Sequence, residues 1–147
     1  MEKSRHKIKL AASGRSVRIQ RPQLIDMIRR ILDEECPAEA WRITVIFVDK
    51  DRIIELNRQF FQKDEPTDVI AFDLSDDERH REGEIYICVD TAAENAAFYG
   101  VTLENELFRL AAHGALHLAG YDDGDADSRK QMTALENKAL EYVFGSL

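Results

Sequence analysis

His113-Gly114-Ala115-Leu116-His117-Leu118-Ala119-Gly120-Tyr121-Asp122-Asp123 is the stretch on which the reading of this chain turns. Its apolar run reads as helix, and its two histidines stand four apart. Positions i and i+4 lie on one helical face, one turn apart, so the two imidazoles can reach one metal ion. Gly120 is the residue a helix uses to stop in a left-handed turn. The chain then folds back, and Asp123 offers a carboxylate. The spacing H-x3-H-x5-D predicts a three-ligand site made from one helix, one glycine turn and one returning loop.

The helix can be followed back to Thr102, a good N-cap. Leu103, Leu107, Leu110, Gly114 and His117 fall on one stripe, with Phe108, Ala111, Ala112, Ala115 and Leu118 beside it, so the helix is expected to be buried on most sides. Upstream, Val17–Gln20 alternates like a short strand. Residues 22–35 read as an amphipathic helix that opens at Pro22 and is ended by Pro37. Trp41–Val48 is a β-branched, aromatic strand. Asp49 caps a helix to about Gln59, and residues 60–68 read as a loop. Val69–Phe72 is a short strand, residues 75–82 an exposed charged loop, and Glu84–Asp90 a further strand. Asp90 or Thr91 caps a helix through Tyr99, closed by Gly100. Asp125 or Asp127 opens a last helix with Met132, Leu135, Ala139, Leu140 and Val143 inward. Strands followed by helices in this order predict an α/β (α+β) fold, a mixed sheet of about four strands packed with about five helices.

The chain has 147 residues and 44% apolar content, enough for one domain over 1–147 with a sizeable core. No run approaches the length of a membrane span, and the N-terminus lacks the apolar region of a secretory signal. Cys36 and Cys88 form no C-x-x-C and read as buried free thiols of a cytoplasmic protein. Net charge is -8, which speaks against nucleic acid, but it is uneven. Residues 1–30 hold nine Lys and Arg against Glu2 and Asp26, a local +7. Such a basic face on an acidic body can follow a phosphate backbone, or be an ordinary solvated surface.

Two histidines in one dry helix must each satisfy their ring nitrogens, and a metal ion does so for one nitrogen of each. The spacing also matches the metzincin pattern H-E-x-x-H-x-x-G-x-x-H, with Asp at 123 and Gly at 114. The glutamate of that motif is the general base of the protease. Gly114 has no side chain to serve, so peptidase activity by that route is not expected. Gly114 weakens the helix by about 1 kcal/mol relative to Ala, which implies close packing there. Two imidazoles and one carboxylate suit zinc, and also iron, nickel or manganese. Three protein ligands leave a position open, as in catalytic sites. Asp122 competes with Asp123 for the third place, and only the metzincin register favours Asp123.

HGALHLAGYDD resembles the H-G-x-L-H-L-x-G-Y-D-H signature of the bacterial YbeY family. Leu56-Asn57, Lys63-Asp64 and Pro66-Thr67-Asp68-Val69-Ile70-Ala71-Phe72 resemble the family's L-N, K-D and P-T-D-V-L-S-F, and Gly83-Glu84-Ile85 its G-D-I. Met132 and Glu136 stand where the family has M and E in the last helix. The resemblance implies a metal-dependent, single-strand-specific endoribonuclease of rRNA maturation and ribosome quality control, with one zinc per chain on His113, His117 and Asp123. Its partners would be single-stranded rRNA and ribosomal particles, with basic N-terminal side chains gripping flanking phosphates. Two positions depart from the pattern. Asp123 stands for the family's third histidine, and Phe61 for an arginine implicated in activity. Arg58 and Lys63 are the nearby cations that can take that arginine's place on a transferring phosphoryl group. Pro66-Thr67-Asp68 reads first as a structural turn, and Glu84 as a strand residue near the cleft. Two other functions are compatible with the same residues. One is a non-catalytic ribosome-assembly factor with a structural metal. The other is a metal-dependent hydrolase of another substrate class.

Overall fold

The structure is a computed structural model that describes residues 5–145. Glu2 and Lys3, counted above in the basic segment, lie outside these residues. Four strands, β1 (Lys7–Ser13), β2 (Ala40–Val48), β3 (Val69–Asp73) and β4 (His80–Cys88), form one sheet in the order β1-β2-β4-β3. β1, β2 and β4 run parallel, and β3 pairs antiparallel with β4 at the edge. Five helices complete the described residues: α1 (Arg21–Glu35), α2 (Lys50–Phe61), α3 (Val89–Tyr99), α4 (Leu103–Leu118) and α5 (Ala126–Phe144).

The period-2 alternation of β2 sorts its side chains between two cores. Ile43, Val45 and Phe47, with Ile85 and Ile87 of β4, pack against α1, α4 and α5 in the larger one. Ile46 and Val48, with Ile70 and Cys88, pack against Ile53 and Leu56 of α2 in the smaller one. Full burial of each such aliphatic contributes about 1.5–3 kcal/mol before conformational entropy is set against it. α4 lies in the larger core with ten of its 16 residues buried.

Three helix starts follow from capping chemistry. Asp49 accepts from Arg52 N–H (2.9 Å), Thr102 from Asn105 N–H (3.0 Å) and Asp125 from Ser128 N–H (2.8 Å). Other expectations fail for physical reasons. The first strand is Lys7–Ser13, not Val17–Gln20. β1 pairs one-to-one with Arg42–Val48 and β4 occupies the other side of β2, so both sides of that strand are taken and residues 17–20 pair with no strand. Val17 and Ile19 alternate because they lie against the core. The charged loop is also shorter than expected, because His80–Glu82 pair with Ala40–Arg42. Arg81 is sustained there by Asp73 (2.6 Å), by Glu39 (3.5 Å) and by the Trp41 ring 5.0 Å away. β4 stops at Cys88, and Asp90 lies in the first turn of α3, accepting from Lys50 N–H (3.1 Å) rather than capping its own helix. Phe60 and Phe61 belong to the last turn of α2, which ends at Gln62 in a left-handed conformation (φ 54°). Both cysteines are free and buried, and burial pushes the Cys36 thiol up to about 11.

Candidate metal centre

α4 presents His113 and His117 from its last two turns, with ring centroids 4.8 Å apart. The helix then closes in a Schellman motif. Gly120 N–H donates to the His117 carbonyl and Tyr121 N–H to the Leu116 carbonyl, both at 3.0 Å, with Gly120 at φ 107°. This turn sends residues 121–124 back along the histidine face. Asp123 Oδ2 stands 3.4 Å from His113 Nε2, and Asp123 Oδ1 stands 3.5 Å from His117 Nε2. Donors about 2.0–2.2 Å from a shared ion stand roughly 3.3–3.6 Å apart in tetrahedral geometry. Each His–Asp spacing is of this size, one through each carboxylate oxygen, and one donor atom from each of the three residues lies within 4.8 Å of the others. Asp122 turns away, and its Oδ1 accepts from Asp123 N–H at 2.7 Å.

Glu136 of α5 completes the arrangement. Its Oε2 lies 2.7 Å from His113 Nδ1, and its Oε1 accepts from Arg109 at 3.1 Å. A carboxylate only accepts, so Nδ1 carries the hydrogen and Nε2 is left to face Asp123. Burial by itself lowers the His113 pKa. The Glu136 hydrogen bond and the charges of Glu136, Asp123 and Asp68 outweigh it and hold the imidazole above its ordinary value. In the sequence Glu136 stood only as a family position. The available signal was a charge on the inward stripe of α5, beside Met132, Ala139 and Leu140, where Glu136 is 7% exposed.

The triad opens into a cavity of about 510 Å³ along the free edge of β3. Its α4 wall holds His113, Gly114, His117 and Leu118, and its opposite wall holds Asn57, Phe61 and Lys63 from the end of α2 and the turn after it. A Cβ on Gly114 would come within 2.6 Å of Ile85 Cγ2, which explains the glycine and leaves no room for a protease glutamate. Thr67 and Asp68 of the Pro66-Thr67-Asp68 turn line the cavity. Asn95 donates to Asp68 (3.1 Å) and to Glu106 (3.2 Å), the latter a buried carboxyl whose pKa burial raises.

Lys63 lines the cavity, whereas Arg58 does not, its guanidinium held by Asp64 at 2.8 Å. Glu84 accepts from Tyr86 O–H (3.0 Å) and alternates with Ile85, which places it on the sheet face away from α4. The basic N-terminal residues are also remote. The strand order puts β1 at the edge opposite β3, and none of residues 5–30 lines the cavity.

The family profile described as Endoribonuclease YbeY matches residues 9–143. This chain belongs to the YbeY family. The relative named Endoribonuclease YbeY in Thermotoga petrophila is 39% identical over 125 residues, covering 83% of this chain and 82% of its own. The one in Staphylococcus saprophyticus is 41% identical over 116 residues, 74% and 76% of the two chains. A solution structure of a Thermotoga maritima protein superposes with a TM-score of 0.61 at 36% identity, over 94% of this chain and 89% of that one. The mixed sheet with its five helices is therefore a YbeY fold, and His113, His117 and Asp123 form a group at the end of α4 that could hold a metal ion.

Proposed function

We propose that the chain is a metal-dependent endoribonuclease that cuts single-stranded RNA in rRNA maturation and ribosome quality control, acting in the cytoplasm with one zinc ion per chain. The observation that carries this reading is the convergence of His113, His117 and Asp123 at the wall of an open cavity, with Glu136 fixing the tautomer of His113. The relatives' shared name, Endoribonuclease YbeY, supplies the reaction class. Among the described residues, no helix is long and apolar enough to cross a membrane.

A divalent metal held by this N2O donor set supplies Lewis acidity to a phosphodiester. The protein's own groups do the rest. Glu136 and the Gly120 turn fix the three donors before substrate arrives, so little reorganisation remains during reaction. Asp68, held by Asn95, lines the cavity and would take the proton of an attacking hydroxyl. Lys63 faces the same space and can hold a phosphate. Arg58 lies further out and meets RNA only if Asp64 releases it. Flanking phosphates can engage the basic β1–α1 surface only if the strand wraps around to the far sheet edge.

The direct test is a panel of single-stranded RNA, duplex RNA and peptide incubated with wild-type protein and with His117→Ala. Cutting of the single-stranded RNA alone, lost in the variant, is the expected result. Undiminished cutting by His117→Ala would overturn the assignment. Binding to ribosomal particles without cleavage, by either protein, would point to an assembly factor with a structural metal.

A further inference from the structure

Among the described residues that line the cavity, Phe61 is the one phenyl ring, beside histidines, carboxylates, a lysine and the smaller apolar side chains of β3 and Leu118. It ends α2 with 47% of its surface exposed, and Phe60 beside it is 51% exposed. Exposed phenyl rings lose the stabilisation that burial would bring. These rings are nonetheless braced. Phe61 lies nearly parallel to Phe72, at 16° and 6.1 Å between centroids. Phe60 tilts against the same Phe72 at 4.9 Å, and Tyr86 meets it edge-on at 5.8 Å. Phe72 thus fixes the plane of Phe61 from one side and leaves much of the ring open. That open ring lines the cavity that holds His113, His117 and Asp123, and Lys63 lines it two residues further on.

A flat apolar surface, an ammonium group and a metal triad on one cavity match an aromatic base carrying a phosphate. We propose that Phe61 is a substrate-binding residue on which an unpaired base next to the scissile phosphate stacks, with Lys63 on the adjoining phosphate. The proposal rests on the endoribonuclease reading and adds to it the origin of strand selectivity. Every base has a π-face, so stacking accepts any base in sequence, whereas a base held inside a duplex has no free face to give. Loss of one such base–aromatic contact weakens binding by about five- to a hundred-fold.

The experiment uses metal-loaded protein and a single-stranded RNA carrying 2-aminopurine at one position at a time. Rapid mixing reads the fluorescence, and a gel reads the cut. With wild-type protein, quenching is expected to precede cleavage when the analogue sits beside the cut. An abasic residue at that position should weaken binding about ten-fold. Phe61→Leu should abolish the quench and raise KM about ten-fold with a smaller change in kcat, and Phe61→Trp should restore both. In Phe61→Leu the abasic and intact substrates should bind alike. Cleavage by wild-type protein without quenching, or a Phe61→Leu variant that quenches and binds like wild type, overturns the stacking role and leaves the endoribonuclease reading standing. Wild-type protein that neither binds nor cuts the RNA overturns both, and turns Phe60 and Phe61 into a patch of another purpose.

Discussion

On one wall of the cavity, His113 is held at 2.7 Å by a glutamate that is 7% exposed, on a helix with ten of 16 residues buried. On the other wall, Phe61 ends and Lys63 follows a helix with three of 12 residues buried, and Asn57 pins the turn by donating to the Glu65 carbonyl at 2.9 Å. The first wall has its geometry set by packing. The second is set by a few exposed contacts and can adjust. A site that binds one ion of fixed geometry and a chain of variable sequence gains from that division, because metal ligation needs precision and substrate binding needs tolerance.

The rigid wall depends most heavily on Glu136. Glu136→Gln keeps the shape of the side chain but leaves His113 Nδ1–H and Arg109 without their charged acceptor. Metal affinity should fall about 10- to 100-fold, read by titration calorimetry. An unchanged affinity would mean that the rigid wall owes nothing to α5.

Gly114→Ala probes the packing of the same wall. Helix propensity alone would favour alanine by about 1 kcal/mol. The new Cβ, 2.6 Å from a buried β-branched side chain, sets against this an overpacking penalty of about 1–3 kcal/mol. Overpacking should win, and the melting temperature should drop by a few degrees. A rise would show that α4 can slide on β4.

The far sheet edge gives a smaller, pH-dependent effect that leaves both walls alone. His6 is 2% exposed and accepts from Trp41 N–H at 3.1 Å, which places its own hydrogen on Nε2 towards Asp33 at 3.3 Å. Burial is the main cause that lowers its pKa, ahead of the opposing pull of Asp33 and Glu39. Above the ordinary value of about 6.5 both folded and unfolded chains hold His6 neutral. Below it the unfolded chain takes up a proton more readily, so this contribution to stability is lost as pH falls. Melting curves from pH 7.5 to 5 should decline less steeply in His6→Gln than in wild type.

The smallest effect belongs to the adjustable wall. The Arg58–Asp64 pair is exposed and contributes about 0–1 kcal/mol. Asp64→Ala should leave the melting temperature nearly unchanged, and Arg58→Ala should slow RNA cleavage less than Lys63→Ala. The reverse order would return the missing arginine's role to Arg58.

The same division governs what could be read from the sequence. Helical spacing, Gly120 and the caps at Asp49, Thr102 and Asp125 depend on neighbours within a few residues, so the histidine wall and most helix starts were legible, while spacing alone left Asp122 and Asp123 level and only the metzincin register separated them. The family resemblance extended that reading to the chemistry. β1 was not legible, because Lys7–Ser13 is a strand only by virtue of a partner 35 residues away. Arg81 inside β4 was hidden for the same reason, since its compensation comes from Asp73, Glu39 and Trp41. Glu136 reaches His113 across 23 residues, and Asp68 enters the cavity only because β3 lies at the sheet edge. Local rules have no access to any of these.

The central claim is that one divalent ion on His113, His117 and Asp123 is required for cutting RNA. Its most direct test is the rate of single-stranded RNA cleavage as metal is returned to chelated, folded protein. No cleavage is expected without metal, followed by a rise that saturates at one ion per chain. Cleavage at the full rate by folded, metal-free protein would contradict it.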